Sequence, residues 1–425
     1  MMAVCYFNDK YDEKYDCQYE IKDDLIEVVA KYDIMDEIPA INGLRTFGSN
    51  TEFKKRDILI IDNQARMNYL LKAAHCCGHT EVLGSPDGGY KTKFTTRCYY
   101  KYGNYEKLCD ISNSENIKKI RVYSKMINDL IGYPSVSREE NGNEYIIKLK
   151  KDAVKQKIEI NKDNIKYIEV SDDWKSEINR KNNKIDVSLN GYIEVNLNKN
   201  IVYEEVYEYV NELIMFLQLL RPCKFRIDKI VVEINKTFFE LCIPMNEIKY
   251  TSSHVDNSVK EDLMQFLFKC YTKIPYRNSK NEVRNIPYII LNTSRNIEDN
   301  FLMFYRFIEC YYKQQHIKDI KNSFIKYSID NNYKNKEKIK NIENMVQEII
   351  CLRNHYVHNG YHISNKKLYI AFPRIEKKAN PKNYRAENVD FDWIYKRTKI
   401  LYEIVIDIIF KNMLQYDNYE FNKHF

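Results

Sequence analysis

At 425 residues, 44% hydrophobic and 30% charged, the chain has the composition of a globular protein with room for two or three domains. Only 11 glycines and 9 prolines exclude a collagen-like or linker-rich chain, and a net charge of +7 permits an anionic partner without requiring one. Its 11 cysteines, odd in number and irregular in spacing, do not make a disulfide framework. The opening MMAVCYFNDKYDEKYD lacks the basic and apolar regions of a signal peptide. No apolar run reaches the ~18 residues of a membrane span, since Asp407 interrupts YEIVIDIIF. A cytoplasmic, reduced protein without membrane partners is expected.

In chain order, residues 1–140 carry the weakest pattern. DILIIDN (57–63) reads as a strand, and SENIKKIRVYSKMINDLIGY (114–133) reads as a helix. From 144 onward polar and apolar residues alternate in EYIIKLK, QKIEI, KIDVSL and GYIEVNL, which predicts half-buried strands. YEEVYEYVNELIMFLQLLRP (203–222) predicts a helix stopped by Pro222, and IDKIVVEIN and TFFELCIP predict two more strands. Four segments beyond residue 255 have helical spacing: SVKEDLMQFLFKCYTKI, NIEDNFLMFYRFIECYYKQQH, KIKNIENMVQEIICLRNHYVH and DFDWIYKRTKILYEIVIDIIFKNML. IPYIILNTS (286–294) fits a strand or a helix start. The expected fold class is α+β, a β-rich N-terminal region over 1–250 followed by a C-terminal all-α helical bundle over 255–425.

The third helical segment holds an anomaly. Ile339, Ile342, Val346 and Ile349 step by three and four, so the next inward position is Arg353, followed by Val357. Arginine is rarely fully buried unless paired, so it faces a partner or a polar cleft. Asn354 and His358, four apart, share a face beside it, and Asn359-Gly360 stops the helix. One reading is an ion-paired core arginine with His358 capping the helix dipole. The other is a reactive cluster.

LRNHYVHNG resembles the signature of HEPN domains, an arginine and a polar residue followed a few positions later by histidine. Arg353, Asn354 and His358 fall on that motif. The resemblance implies a helical bundle and a metal-independent ribonuclease, without cofactor, whose active site forms where two motifs meet across a homodimer. It also implies an acidic residue on an earlier helix, for which YRFIECYY offers Glu309. The β-rich region followed by such a bundle, together with FLQLLRPCKFRIDKIVVEI, is similar to ApeA-like bacterial anti-phage proteins, implying abortive-infection toxicity and a phage-derived trigger. RNA is the expected partner, with tRNA the family-based guess. The motif-bearing likeness covers roughly 290–415.

These residue types suit RNA cleavage by its own 2′-hydroxyl. Histidine exchanges protons near neutral pH, and arginine offers a fixed planar charge to the phosphorane. Between Lys313 and Lys340 stand eight lysines against three acids. From Ser364 to Arg385 seven Lys or Arg face only Glu376, interleaved with Tyr369, Phe372 and Tyr384. Charge for phosphates and rings for bases suit single-stranded RNA, and Lys377, Lys378, Lys382 and Arg385 are the candidate contacts; a solvated loop in a lysine-rich chain is the plainer account. A HEPN bundle that binds RNA without cutting it, and a ligand sensor acting through the β-rich region, are the rival functions.

Other motifs carry less. His355, His358 and His362 straddle the Asn359-Gly360 stop, and AHCCGH (74–79) packs four donors into one short run, so neither has zinc-site spacing. GSPDGGYKT places Tyr90 where a P-loop needs Gly-Lys, and reads as a turn.

Overall fold

The computed structural model describes residues 2–7, 10–22, 25–34, 55–62, 64–82, 89–113, 115–124, 127, 136–141, 144–149, 156–179, 184–220, 227–244, 263–274, 297–314, 353 and 391–415. The chain forms two compact units, Met1–Asn211 with Arg226–Glu247, and Glu212–Phe225 with Ile248–Phe425.

The first unit is built on antiparallel strands. Six of them, β1 (Met2–Phe7), β2 (Lys10–Lys22), β3 (Leu25–Ala30), β4 (Arg56–Asp62), β5 (Met67–Val82) and β6 (Gly89–Thr96), pair in the ring β5-β4-β1-β2-β3-β6 and close through β6 onto β5. Closure removes the open edges that invite aggregation, and a six-stranded barrel is narrow enough for side chains to fill it. Phe7, Ile26, Val28, Tyr32, Ile58, Ile60, Leu71 and Phe94 do so. Arg56 lies buried among them, its guanidinium 5.4, 5.4 and 5.9 Å from the ring centres of Phe7, Tyr32 and Phe94, and its Nη1 donates to the Tyr32 hydroxyl at 3.0 Å.

Strand β5 serves two sheets. Its first half pairs with β4 on one side and β7 (Tyr99–Tyr102) on the other; its second half pairs with β6. The change of direction is a bulge. Arg56 opposes Ala74 and Ile58 opposes Leu71, so Lys72 and Ala73 together face Asp57. Ala73 takes φ 47, the left-handed region an alanine enters at a cost of about 1 kcal/mol. Asp57 holds the bend from both ends, accepting from Lys72 Nζ at 2.5 Å and from the Ala73 amide at 2.9 Å. Thr96 Oγ1 donates to the Lys72 carbonyl at 2.8 Å, and the Lys72 amide donates to the Cys98 carbonyl at 2.8 Å. Glu115 adds a second carboxylate 3.5 Å from Lys72 Nζ. Burial alone would lower the lysine's pKa; the two carboxylates more than offset that and hold it above the ordinary value.

From β7 the sheet continues through β15 (Thr237–Cys242), β14 (Lys229–Ile234), β8 (Ile117–Tyr123), β13 (Lys184–Ile201) and β12 (Ile165–Asn179) to β11 (Gln156–Lys162). A separate hairpin joins β9 (Val136–Asn141) and β10 (Glu144–Leu149). Helix α1 (Tyr105–Asn113) follows an Asn104 cap whose Oδ1 accepts from the Glu106 amide at 2.8 Å, and it buries Leu108 and Ile111. Helix α2 (Tyr203–Leu220) runs from the first unit into residues assigned to the second.

The predicted strand at 57–63 is present through Asp62 and the helix over 203–222 through Leu220; EYIIKLK and QKIEI form β10 and β11, while KIDVSL and GYIEVNL are parts of the single strand β13. The predicted helix over 114–133 is overturned at Ile117–Tyr123, which form β8. Lys119 and Ile117 oppose Glu233 and Ile234 in succession, so the ladder skips Lys118 and places Ile117 and Ile120 on one buried side. That irregularity mimics helical spacing. Lys119 and Arg121 meet Glu233 and Glu194 on the neighbouring strands, each at 2.7 Å.

In the second unit the regular structure among the described residues is helical: α3 (Leu263–Lys273), α4 (Ile297–Gln314) and α5 (Phe391–Asp407), which continues as a π-helical turn at Ile408–Met413. Phe304 of α4 packs on Tyr402 of α5, ring centres 5.4 Å apart. Asp407, the charge that interrupts the late apolar run, is buried and lies 3.6 Å from Lys411. No helix among the described residues is long and apolar enough to cross a membrane.

Replacing Asp57 by alanine should lower the unfolding free energy by about 3 kcal/mol, because it strips Lys72 of its nearest counter-charge and the Ala73 amide of its acceptor. Ala73→Gly should instead be neutral or stabilising by up to about 1 kcal/mol, since glycine takes positive φ without penalty. Urea unfolding of both variants checks the pair. A second expectation concerns acid. Asp62 is buried, and burial would raise its pKa, yet the Tyr19 hydroxyl at 2.6 Å and the Ala65 and Gln64 amides, each at 2.9 Å, bring it below the usual carboxylate range. The unfolded chain therefore takes up this proton first. The contribution is complete above the unfolded value near pH 4 and is lost as pH falls through the folded one. Urea midpoints measured from about pH 6 to pH 3 should fall more steeply for the wild type than for Asp62→Asn.

Candidate functional site

Helix α4 supplies the frame of the candidate site. Its residues Phe301, Phe304, Phe307, Ile308 and Tyr312 are buried and fix its inward side, while Glu309 is half-buried. Tyr305, also buried, is one turn before Glu309 on the same face. Arg353 is helical and half-buried, and its guanidinium carbon lies 5.7 Å from the centre of the Tyr305 ring. The inward position expected from the apolar stepping is thus a position where the arginine meets an aromatic face.

The contact explains how an arginine is tolerated there. A guanidinium is weakly hydrated for a cation, and a ring face within about 6 Å repays ~0.5–2 kcal/mol of its desolvation. The ring engages the charge and takes no N–H donor for itself, so the contact orients the fork without supplying an oxygen acceptor. Arg353 meets α4 at Tyr305, and Glu309 stands one turn further along the same helix. Asn354 and His358 lie outside the described residues, as do Lys377, Lys378, Lys382 and Arg385. Tyr305 was not read as a site residue from the sequence. The signal was its four-residue spacing from Glu309, which was lost among 36 tyrosines.

AHCCGH lies on β5, with His75 and Cys77 exposed and His79 bonded through Nδ1 to Thr92 Oγ1 at 2.9 Å. Among the described residues no group of three or more His, Cys, Asp or Glu is arranged to hold a metal. No protein-family model, curated protein or solved structure matches the chain.

If the Tyr305 ring holds the arginine, Tyr305→Leu and Arg353→Met should not be additive in stability. A double-mutant cycle by urea unfolding is expected to give a coupling of about 0.5–1 kcal/mol, with Tyr305→Phe close to wild type. Strict additivity would show that the ring does not anchor the guanidinium.

Proposed function

We propose that the second unit is a HEPN helical bundle and that the protein is a homodimeric, metal-independent endoribonuclease of the ApeA-like anti-phage kind. The observation that carries the reading is Arg353, helical and half-buried over Tyr305 on the helix that bears Glu309. With Asn354 next to it and His358 five residues on, the residue types suffice for transesterification. One imidazole takes the 2′-hydroxyl proton, and the 2′-oxygen attacks the adjacent phosphorus. Arg353 balances the charge on the non-bridging oxygens, and a second imidazole protonates the departing 5′-oxygen. Each chain offers one His358, so a two-fold axis bringing two motifs together provides both acid and base. Glu309 is assigned to hold the arginine or histidine in orientation. Lys377, Lys378, Lys382 and Arg385 are assigned to RNA binding, and the first unit to control by a phage-derived trigger.

The test is incubation of the purified chain with total RNA in EDTA, followed by end-group analysis. The expected products carry a 2′,3′-cyclic phosphate and a 5′-hydroxyl, and Arg353→Ala and His358→Ala should each reduce cleavage by about 10²-fold or more while retaining fold and dimer. RNA that binds but is never cut, by parent or variants, would replace this reading with the non-cleaving HEPN scaffold.

A further inference from the structure

The first unit contains a cavity of about 730 Å³, and all its lining residues belong to that unit. The volume lies within the ~300–1,000 Å³ range of small-molecule sites. It opens where β5 bends. The bulge residues Lys72 and Ala73 form part of its wall, with His75 just beyond them, Arg97 from the β6–β7 link and Lys55 from the approach to β4. The first turns of α2 contribute Tyr203 and Tyr207, and Ile243 and Pro244 close the apolar side.

Charge is unevenly spread over this wall. Lys72 is nearly enclosed and already balanced by Asp57 and Glu115, and its ammonium lies 5.5 Å from the Tyr203 ring centre. One ammonium between two carboxylates leaves the inner end without net positive charge, and the Tyr203 ring makes it aromatic. Lys55, His75 and Arg97 are exposed, and Glu204 is the one acid among the described lining residues. An occupant suited to both ends has a flat ring for the tyrosines and apolar wall, and an anionic group for the exposed Lys55 and Arg97. An inorganic anion would leave the aromatic end unfilled, and a neutral aromatic would form no charge-assisted bond with Lys55 or Arg97.

We propose that this cavity is a binding site for a nucleoside phosphate, its base directed toward Tyr203 and Tyr207 and its phosphate toward Lys55, His75 and Arg97. The site lies in a different unit from Arg353 and does not depend on the protein cleaving RNA. The preference for a ringed anion follows from additivity: stacking on an aromatic side chain contributes alongside the charge-assisted bonds to phosphate.

The experiment is calorimetric titration of the full chain with AMP, adenosine and inorganic phosphate. AMP is expected to bind at least 10-fold more tightly than either fragment. Lys55→Ala with Arg97→Ala, both exposed positions that leave the core intact, should weaken AMP at least 10-fold and reduce the dependence of its affinity on salt. Tyr207→Ala should weaken AMP while leaving that salt dependence unchanged. Far-ultraviolet circular dichroism matching the parent's establishes that the variants are folded. The proposal is overturned if AMP shows no saturable binding up to about 1 mM, if phosphate alone binds as tightly, or if the double variant keeps the parent's affinity. Loss of AMP binding in that variant with RNA cleavage intact would support this site independently of the catalytic one.

Discussion

The Asp57 carboxylate, taking the Lys72 ammonium on one oxygen and the Ala73 amide on the other, governs how the first unit is laid out. A regular β5 would run on beside β4 and β7 and never reach β6. The bulge turns it, and only a turned β5 can serve both as a barrel stave and as the neighbour of β7. The left-handed alanine costs about 1 kcal/mol, an amount that the charge-assisted bonds to Asp57 offset. Barrel, sheet extension and the cavity at the bend therefore share one local arrangement.

How far the sequence anticipated this follows from burial. In β13 the apolar Ile193, Val195 and Leu197 alternate with Glu194 and Asn196, which are polar though buried, and in β15 burial itself alternates, so period two is visible. The first half of β5 does not alternate: Asn68, Tyr69, Leu70, Leu71 and Lys72 are all buried, as happens to a strand with structure on both faces. In β8 an irregular step restored the three-residue spacing of a helix. β12, with IKYIEVSDDWKSEIN, hides its pattern in a run of charge that local propensity reads as loop. The helices α2 through α5 were legible because their apolar stripes are long. Arg353 stood out by breaking such a stripe, whereas the four-residue spacing of Tyr305 from Glu309 was hidden among many aromatics.

A common device links distant parts of the molecule. Arg56 sits among three rings inside the barrel, Arg121 lies 3.9 Å over Phe238 and 4.7 Å over Tyr192 on the sheet, and Arg353 lies over Tyr305. In a chain rich in tyrosine and phenylalanine, ring faces thereby help remove a guanidinium from water, alongside the Glu194 carboxylate in the case of Arg121. Lysine, a compact and strongly hydrated charge, gains less from a ring. Where Lys72 is buried, two carboxylates accompany it.

The sheet order also has a consequence for synthesis. Every strand of the barrel lies within the first hundred residues, so the ring has all its staves soon after β6 leaves the ribosome. β7 follows at once, but the strand that pairs with its far side is β15, where Glu240 meets Lys101. The intervening stretch of roughly 140 residues, at 5–20 residues per second, keeps that edge without its native partner for on the order of ten seconds. β7 is only four residues long, Tyr99–Tyr102, with a lysine among them. Shortness and charge are the features by which sheets discourage foreign strands from joining an edge, and here they guard a position that is internal in the finished protein and exposed only in the nascent one.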